Sequence, residues 1–156
     1  MKVTRRIFSL IAVFAGLLLY SSCNKNETPQ PSTEEVQMGK LAKTWKIDIV
    51  TLDGVTKTTD YANFQLTLSG TATSPPYAYT TTGRPALSPW LSSGTWVFGD
   101  NAETQIIRDK GTADELATTY SVSDTKLQIT FTFSGSGYPG GRVANVQGNW
   151  IYTFKL

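Results

Sequence analysis

Cys23 is the chain's one thiol, and it directly follows an uncharged run, Ile7 to Tyr20, and two serines. A thiolate is the strongest nucleophile a side chain offers, so covalent attachment at Cys23 is the first chemistry the sequence suggests. With a single cysteine, a disulfide within the monomer is excluded. The chain has no histidine. Ser-His-Asp and Cys-His catalysis, imidazole proton shuttling and nearly all zinc or iron sites fall away with it. Carboxylates remain: Asp100, Glu103, Asp109, Asp114 and Glu115 gather around two turns. A carboxylate pair can hydrolyse glycosides without histidine. Turns favour Asp in any case, because it bonds its own backbone, and "DNAE" and "DKGTADE" miss the calcium-loop spacing. No catalytic residue, metal ligand or cofactor is assigned.

Binding chemistry has more candidates. Residues 71–94, "TATSPPYAYTTTGRPALSPWLSSG", carry Pro75, Pro76, Pro85 and Pro89 beside Tyr77, Tyr79, Arg84 and Trp90. Prolines stiffen an irregular loop, and long loops on a rigid scaffold often bind ligands. Aromatic faces suit sugars or apolar molecules, and Arg84 suits an anion. The competing reading is that these rings pack the loop onto its scaffold. A second stretch, "SGSGYPGGR" at 134–142, is glycine-rich and holds Tyr138 and Arg142. It is either a flap at a binding mouth or a plain flexible connection, and it lacks the Gly-Lys-Ser/Thr ending of a phosphate loop.

The surroundings of Cys23 set its meaning. Lys2, Arg5 and Arg6 precede the apolar run, and Ser21-Ser22-Cys23 follows it. A basic start, an apolar middle and a small-residue junction describe a secretory signal. The run is shorter than the roughly 20 residues a spanning helix needs. The stretch resembles a bacterial lipoprotein signal peptide: a leucine-like residue, two small residues, then Cys. Leu19 lies one place early, with Tyr20 in the usual leucine position. The resemblance implies cleavage before Cys23, a diacylglycerol thioether on its sulfur and an acylated amine. Several acyl chains, at about 0.8 kcal/mol per buried methylene, make a stable anchor. At a plain secretory site Cys23 would be an ordinary residue. The expected domains are a signal at 1–22, a polar, proline-bearing tether at 23–36 and a folded domain at 37–156.

The whole chain is formally +2, but Lys2, Arg5 and Arg6 leave with the signal and the remainder is close to neutral. That balance, without a Lys/Arg cluster, lacks the footprint of nucleic-acid binding. Ser32 and Glu35 fit a capping box, so a short helix is expected to run to about Lys43. The apolar period then becomes two. Trp45, Ile47 and Ile49 share one face, as do Phe64, Leu66 and Leu68. Further along, Leu116, Thr118, Tyr120 and Val122 align, then Leu127, Ile129, Phe131 and Phe133, then Trp150, Tyr152 and Phe154. About eight strands with short Gly/Asp/Asn/Ser breaks predict an all-β, antiparallel fold, closing as a barrel or packing as a sandwich. Trp45, Trp96 and Trp150 are either core or, if the interior is hollow, cavity lining.

"LAKTW", "SGTWVFGD", "IIRDKG", "SDTKLQITF" and "GNWIYTFKL" resemble the lipocalin-like domains of small lipoproteins of Gram-negative bacteria. The resemblance implies an eight-stranded antiparallel barrel with a short N-terminal helix, held at the outer membrane. The leading expectation is a non-enzymatic barrel binding a small apolar or amphipathic molecule, or an oligosaccharide at its rim. The alternatives are an accessory lipoprotein that docks other proteins and a carboxylate-based hydrolase. Oligomeric state is left open.

Overall fold

Wherever the sequence alternates with a period of two, the chain pairs as strands. The computed structural model describes residues 29–85, 87–136 and 146–156. The strands are β1 (Thr44–Leu52), β2 (Val55–Thr56), β3 (Gln65–Ser69), β4 (Tyr77–Thr82), β5 (Ser93–Phe98), β6 (Gln105–Arg108), β7 (Leu116–Val122), β8 (Lys126–Phe133) and β9 (Gly148–Lys155). One helix, α1 (Thr33–Leu41), precedes them. From β3 onward each strand pairs antiparallel with the next, and β9 returns to β1. The result is a closed eight-stranded antiparallel barrel of lipocalin-like architecture, with β2 as an extra strand on β1. Closure leaves the eight barrel strands without the long unpaired edge that an open sheet presents.

The alternation holds along the long strands. Leu127, Ile129, Phe131 and Phe133 of β8 are buried while Lys126, Gln128 and Thr132 are exposed. In β9, Trp150, Tyr152 and Phe154 point inward, each opposite an inward residue of β8. Thr118 and Tyr120 of β7 do the same.

β1 departs from the expected phase. Trp45 and Ile47 are buried, but Ile49 is 50% exposed and Val50 is fully buried. Pairing with β9 shifts between Ile47 and Ile49, so Asp48 is the additional residue of a bulge. The bulge advances the phase by one and turns Ile49 outward. Asp48 faces Lys155 at 2.8 Å, and that contact holds its carboxyl below the usual value. The two-residue turn after β1, Asp53-Gly54, has φ of 49° and 78°. Positive φ at both positions is what a type I′ hairpin requires, and it folds β2 back onto β1.

The helix has the expected cap. Ser32 Oγ accepts the Glu35 N–H and the Glu35 carboxylate accepts the Ser32 N–H. It stops at Leu41 rather than near Lys43, because the Leu41 carbonyl accepts the Trp45 indole N–H at 2.9 Å as β1 begins. Gln37, Met38 and Leu41 are buried in the barrel core. Tyr120, an inward residue of β7, donates to the Ala102 carbonyl and meets Gln37 Oε1 at 3.4 Å. So α1 covers the end where β1 starts. Up-and-down topology then brings the ends of β1, β4, β6 and β8 and the starts of β3, β5, β7 and β9 together at the opposite end. Among the described residues, no helix is long and apolar enough to cross a membrane.

Candidate functional site

The interior beneath the 83–92 connection is where aromatic, charged and polar side chains meet. Trp90 belongs to that connection, yet it is 1% exposed. Its ring stands edge-on to Tyr79 of β4 at 5.5 Å, Phe131 of β8 at 6.1 Å and Tyr152 of β9 at 6.5 Å. It therefore touches walls on different sides of the barrel. The loop backbone fixes it: Ser88 Oγ accepts the Trp90 N–H, and Arg84 donates to the Trp90 carbonyl at 2.9 Å. Tyr61, at the end of the 3-10 turn Thr58–Tyr61, stacks edge-on to Phe64, Trp150 and Tyr152.

A buried ion pair borders these rings. Arg108, the last residue of β6, is in phase with inward Ile106 and is 1% exposed. Its Nε lies 3.1 Å from Asp109 Oδ2, Nη1 donates to the Pro89 carbonyl and Nη2 to the Asp114 carbonyl. Its guanidinium sits 5.2 Å from the Trp90 ring centroid, a cation–π contact that desolvation strengthens. Asp109 also accepts the Tyr79 hydroxyl and the Thr95 N–H, both at 2.8 Å. Its φ is 51°, and this conformation lets adjacent residues point at one another. Gly94 makes room for the carboxylate: a Cβ there would lie 2.1 Å from Asp109 Oδ1.

Three polar atoms in this interior lack a hydrogen-bond partner among the described residues: Tyr61 Oη, Tyr152 Oη and Trp90 Nε1. Leaving such a group unsatisfied costs about 1–3 kcal/mol each. Burial pushes the Tyr152 hydroxyl well above its usual ionisation range, with Tyr61 adding to it. Burial likewise raises Tyr61, partly offset by Tyr152 and Ser88. The two phenols are thus close enough to perturb one another, yet neither completes a bond of normal geometry.

Of the residues singled out in the sequence, Tyr77 and Tyr79 lie in β4, where "YAYTTTG" reads as a short, weak strand within the 71–94 stretch, and both point inward. Tyr77 packs on Trp96 at 4.7 Å. Trp90 is inside, and Arg84 is half-buried and holds Trp90's backbone. Trp45, Trp96 and Trp150 are buried in strands. Cys23, Tyr138 and Arg142 lie outside the described residues. Asp100, Glu103 and Glu115 are exposed, and Asp114 is half-buried. Sequence reasoning missed Arg108 and Tyr61, and it named Asp109 only as one of the turn carboxylates, not as the buried partner of Arg108. The signal for Arg108 was its phase with Ile106; for Tyr61 there was none, since a 3-10 turn has no strand period. A cleft of about 300 Å³ opens at this end, lined by Arg108 together with residues 113–116 and 132–136.

Comparison of the chain with family models, with curated proteins and with solved structures gives no match.

Proposed function

We propose that this chain is a lipid-anchored envelope protein whose barrel binds a small apolar or amphipathic molecule, without catalysing a reaction. The observation that carries the binding half is the asymmetry of the barrel. One end is covered by α1, and the other gathers the longer connections around an aromatic interior. An eight-stranded barrel has an interior that side chains can fill or that can hold one small ligand. The anchor half rests on Lys2, Arg5 and Arg6, the run from Ile7 to Tyr20, and Cys23. The outer membrane is the proposed address.

The test is thermal melting of the protein against panels of lipids, small aromatics and oligosaccharides. A rise in melting temperature with apolar or amphipathic compounds is expected. A rise with oligosaccharides alone would move the site to the rim, and no shift with any class would end the binding reading.

A second reading, an accessory protein that docks others through its outer wall, is favoured by two observations. Rings from different walls meet across the interior, and Ile49 and Ile151 face outward from neighbouring strands β1 and β9. Cross-linking that captures a partner through Ile49 or Ile151, with no ligand shift, would select it.

A further inference from the structure

Trp90 differs from most of the large rings inside the barrel. Tyr77, Tyr79, Trp96, Phe131, Trp150 and Tyr152 all belong to strands. Moving any of them outward would break ladder hydrogen bonds. Trp90 sits in the connection between β4 and β5, outside the paired residues Tyr77–Thr80 and Ser93–Trp96, so it can leave the interior while the β4–β5 ladder stays intact. Its backbone is held by Ser88 and Arg84, and the bond from Arg108 to Pro89 lies beside it. Its indole N–H has no acceptor among the described residues, although the ring is 1% exposed. A group built purely to fill a core would gain from a partner or from being apolar.

We propose that Trp90 is a place-holder: its indole occupies the site of a flat, neutral, apolar guest that carries a hydrogen-bond-accepting oxygen, and binding expels Trp90 from the barrel. This rests on the binding reading above and names its site, its gate and its ligand class. The guest's ring inherits the face of Arg108 and the edges of Tyr79, Phe131 and Tyr152. Its oxygen accepts from Tyr61 and Tyr152, whose hydroxyls lack partners among the described residues. Neutrality follows from the charge count. Arg108 is already compensated by Asp109, so an anionic guest would bring an unpaired charge into a desolvated chamber. An apolar ring without oxygen would leave the phenols as they are.

The probes are coumarin (neutral, bicyclic, with a carbonyl), naphthalene (no acceptor) and 2-naphthoate (anionic). The protein is labelled with 5-fluorotryptophan, and the Trp90 fluorine resonance is assigned by its loss in Trp90→Phe. Coumarin is expected to raise the melting temperature and to move the Trp90 resonance to a solvent-exposed position. Naphthalene and 2-naphthoate are expected to bind at least about tenfold more weakly. In Trp90→Ala no ring has to be displaced, so coumarin is expected to bind at least about tenfold more tightly, by removal of the population cost of opening. Coumarin binding with an unmoved Trp90 resonance would overturn the place-holder while leaving a binding barrel in place. No binding of coumarin by the wild type would overturn it too, and the lipid and glycan panels would then decide the broader reading separately. Should Trp90→Ala fail to fold, the wild-type resonance decides alone.

Discussion

A phenol without an acceptor stays inside a barrel most cheaply as a neutral group. Burial raises the ionisation of Tyr61, Tyr77, Tyr120 and Tyr152 above the ordinary tyrosine value of 10.0. Above that pH the unfolded chain loses these protons while the native state keeps them, so stability falls as pH rises. With no histidine, no side chain of ordinary pKa titrates around neutrality. Urea titrations should therefore give a flat plateau through neutral pH and a steep alkaline loss, shallower in Tyr152→Phe. The ion pair gives a second expectation. Asp109→Ala strands Arg108 without its compensating carboxylate, and breaking a buried pair in this way costs about 3–5 kcal/mol, measurable as a lower urea midpoint. Gly94→Ala should also be strongly destabilising, since its Cβ would fall on that carboxylate. Arg108 shows what residue-level reading loses. Its inward phase was legible from "QIIR", but a charge is expected at the surface until its neighbour is seen turned back to meet it.

At the scale of elements, alternation was legible wherever the strand was regular. The inward sets of β3, β7, β8 and β9 follow directly from period two. The β1 bulge was not, because an additional polar residue between two isoleucines reads as ordinary alternation. Stability measurements on two substitutions separate the phases. Ile49→Asp should change stability by about 0.5 kcal/mol or less, as for other surface changes. Val50→Asp, one residue on, should cost about 3 kcal/mol or more by burying an unpaired charge. The helix cap was legible because its chemistry is local. Ser32→Ala should weaken the fit of α1 over its end of the barrel by about 1 kcal/mol, seen as faster amide exchange around Gln37 and Met38.

For the whole molecule, closure follows from β9 meeting β1, a contact between the last strand and the first that no local pattern encodes. Strand number and inward faces made a barrel or a sandwich the available answers, and long-range pairing chose between them. The site was legible only in part. Tyr77, Tyr79 and Trp90 were picked out as aromatic residues of a proline-rich stretch; the alternation of β4 turns the two tyrosines inward, but the inward direction of Trp90 depends on the path of the 83–92 connection. The anchor proposed at Cys23 and the guest proposed at the Trp90 position make one testable picture. Native mass spectrometry of the protein purified from its own membrane tests both together. The expected species begins at Cys23, carries acyl chains, and in part retains one small non-covalent guest. A chain that still begins at Met1, unacylated and with nothing bound, would contradict it.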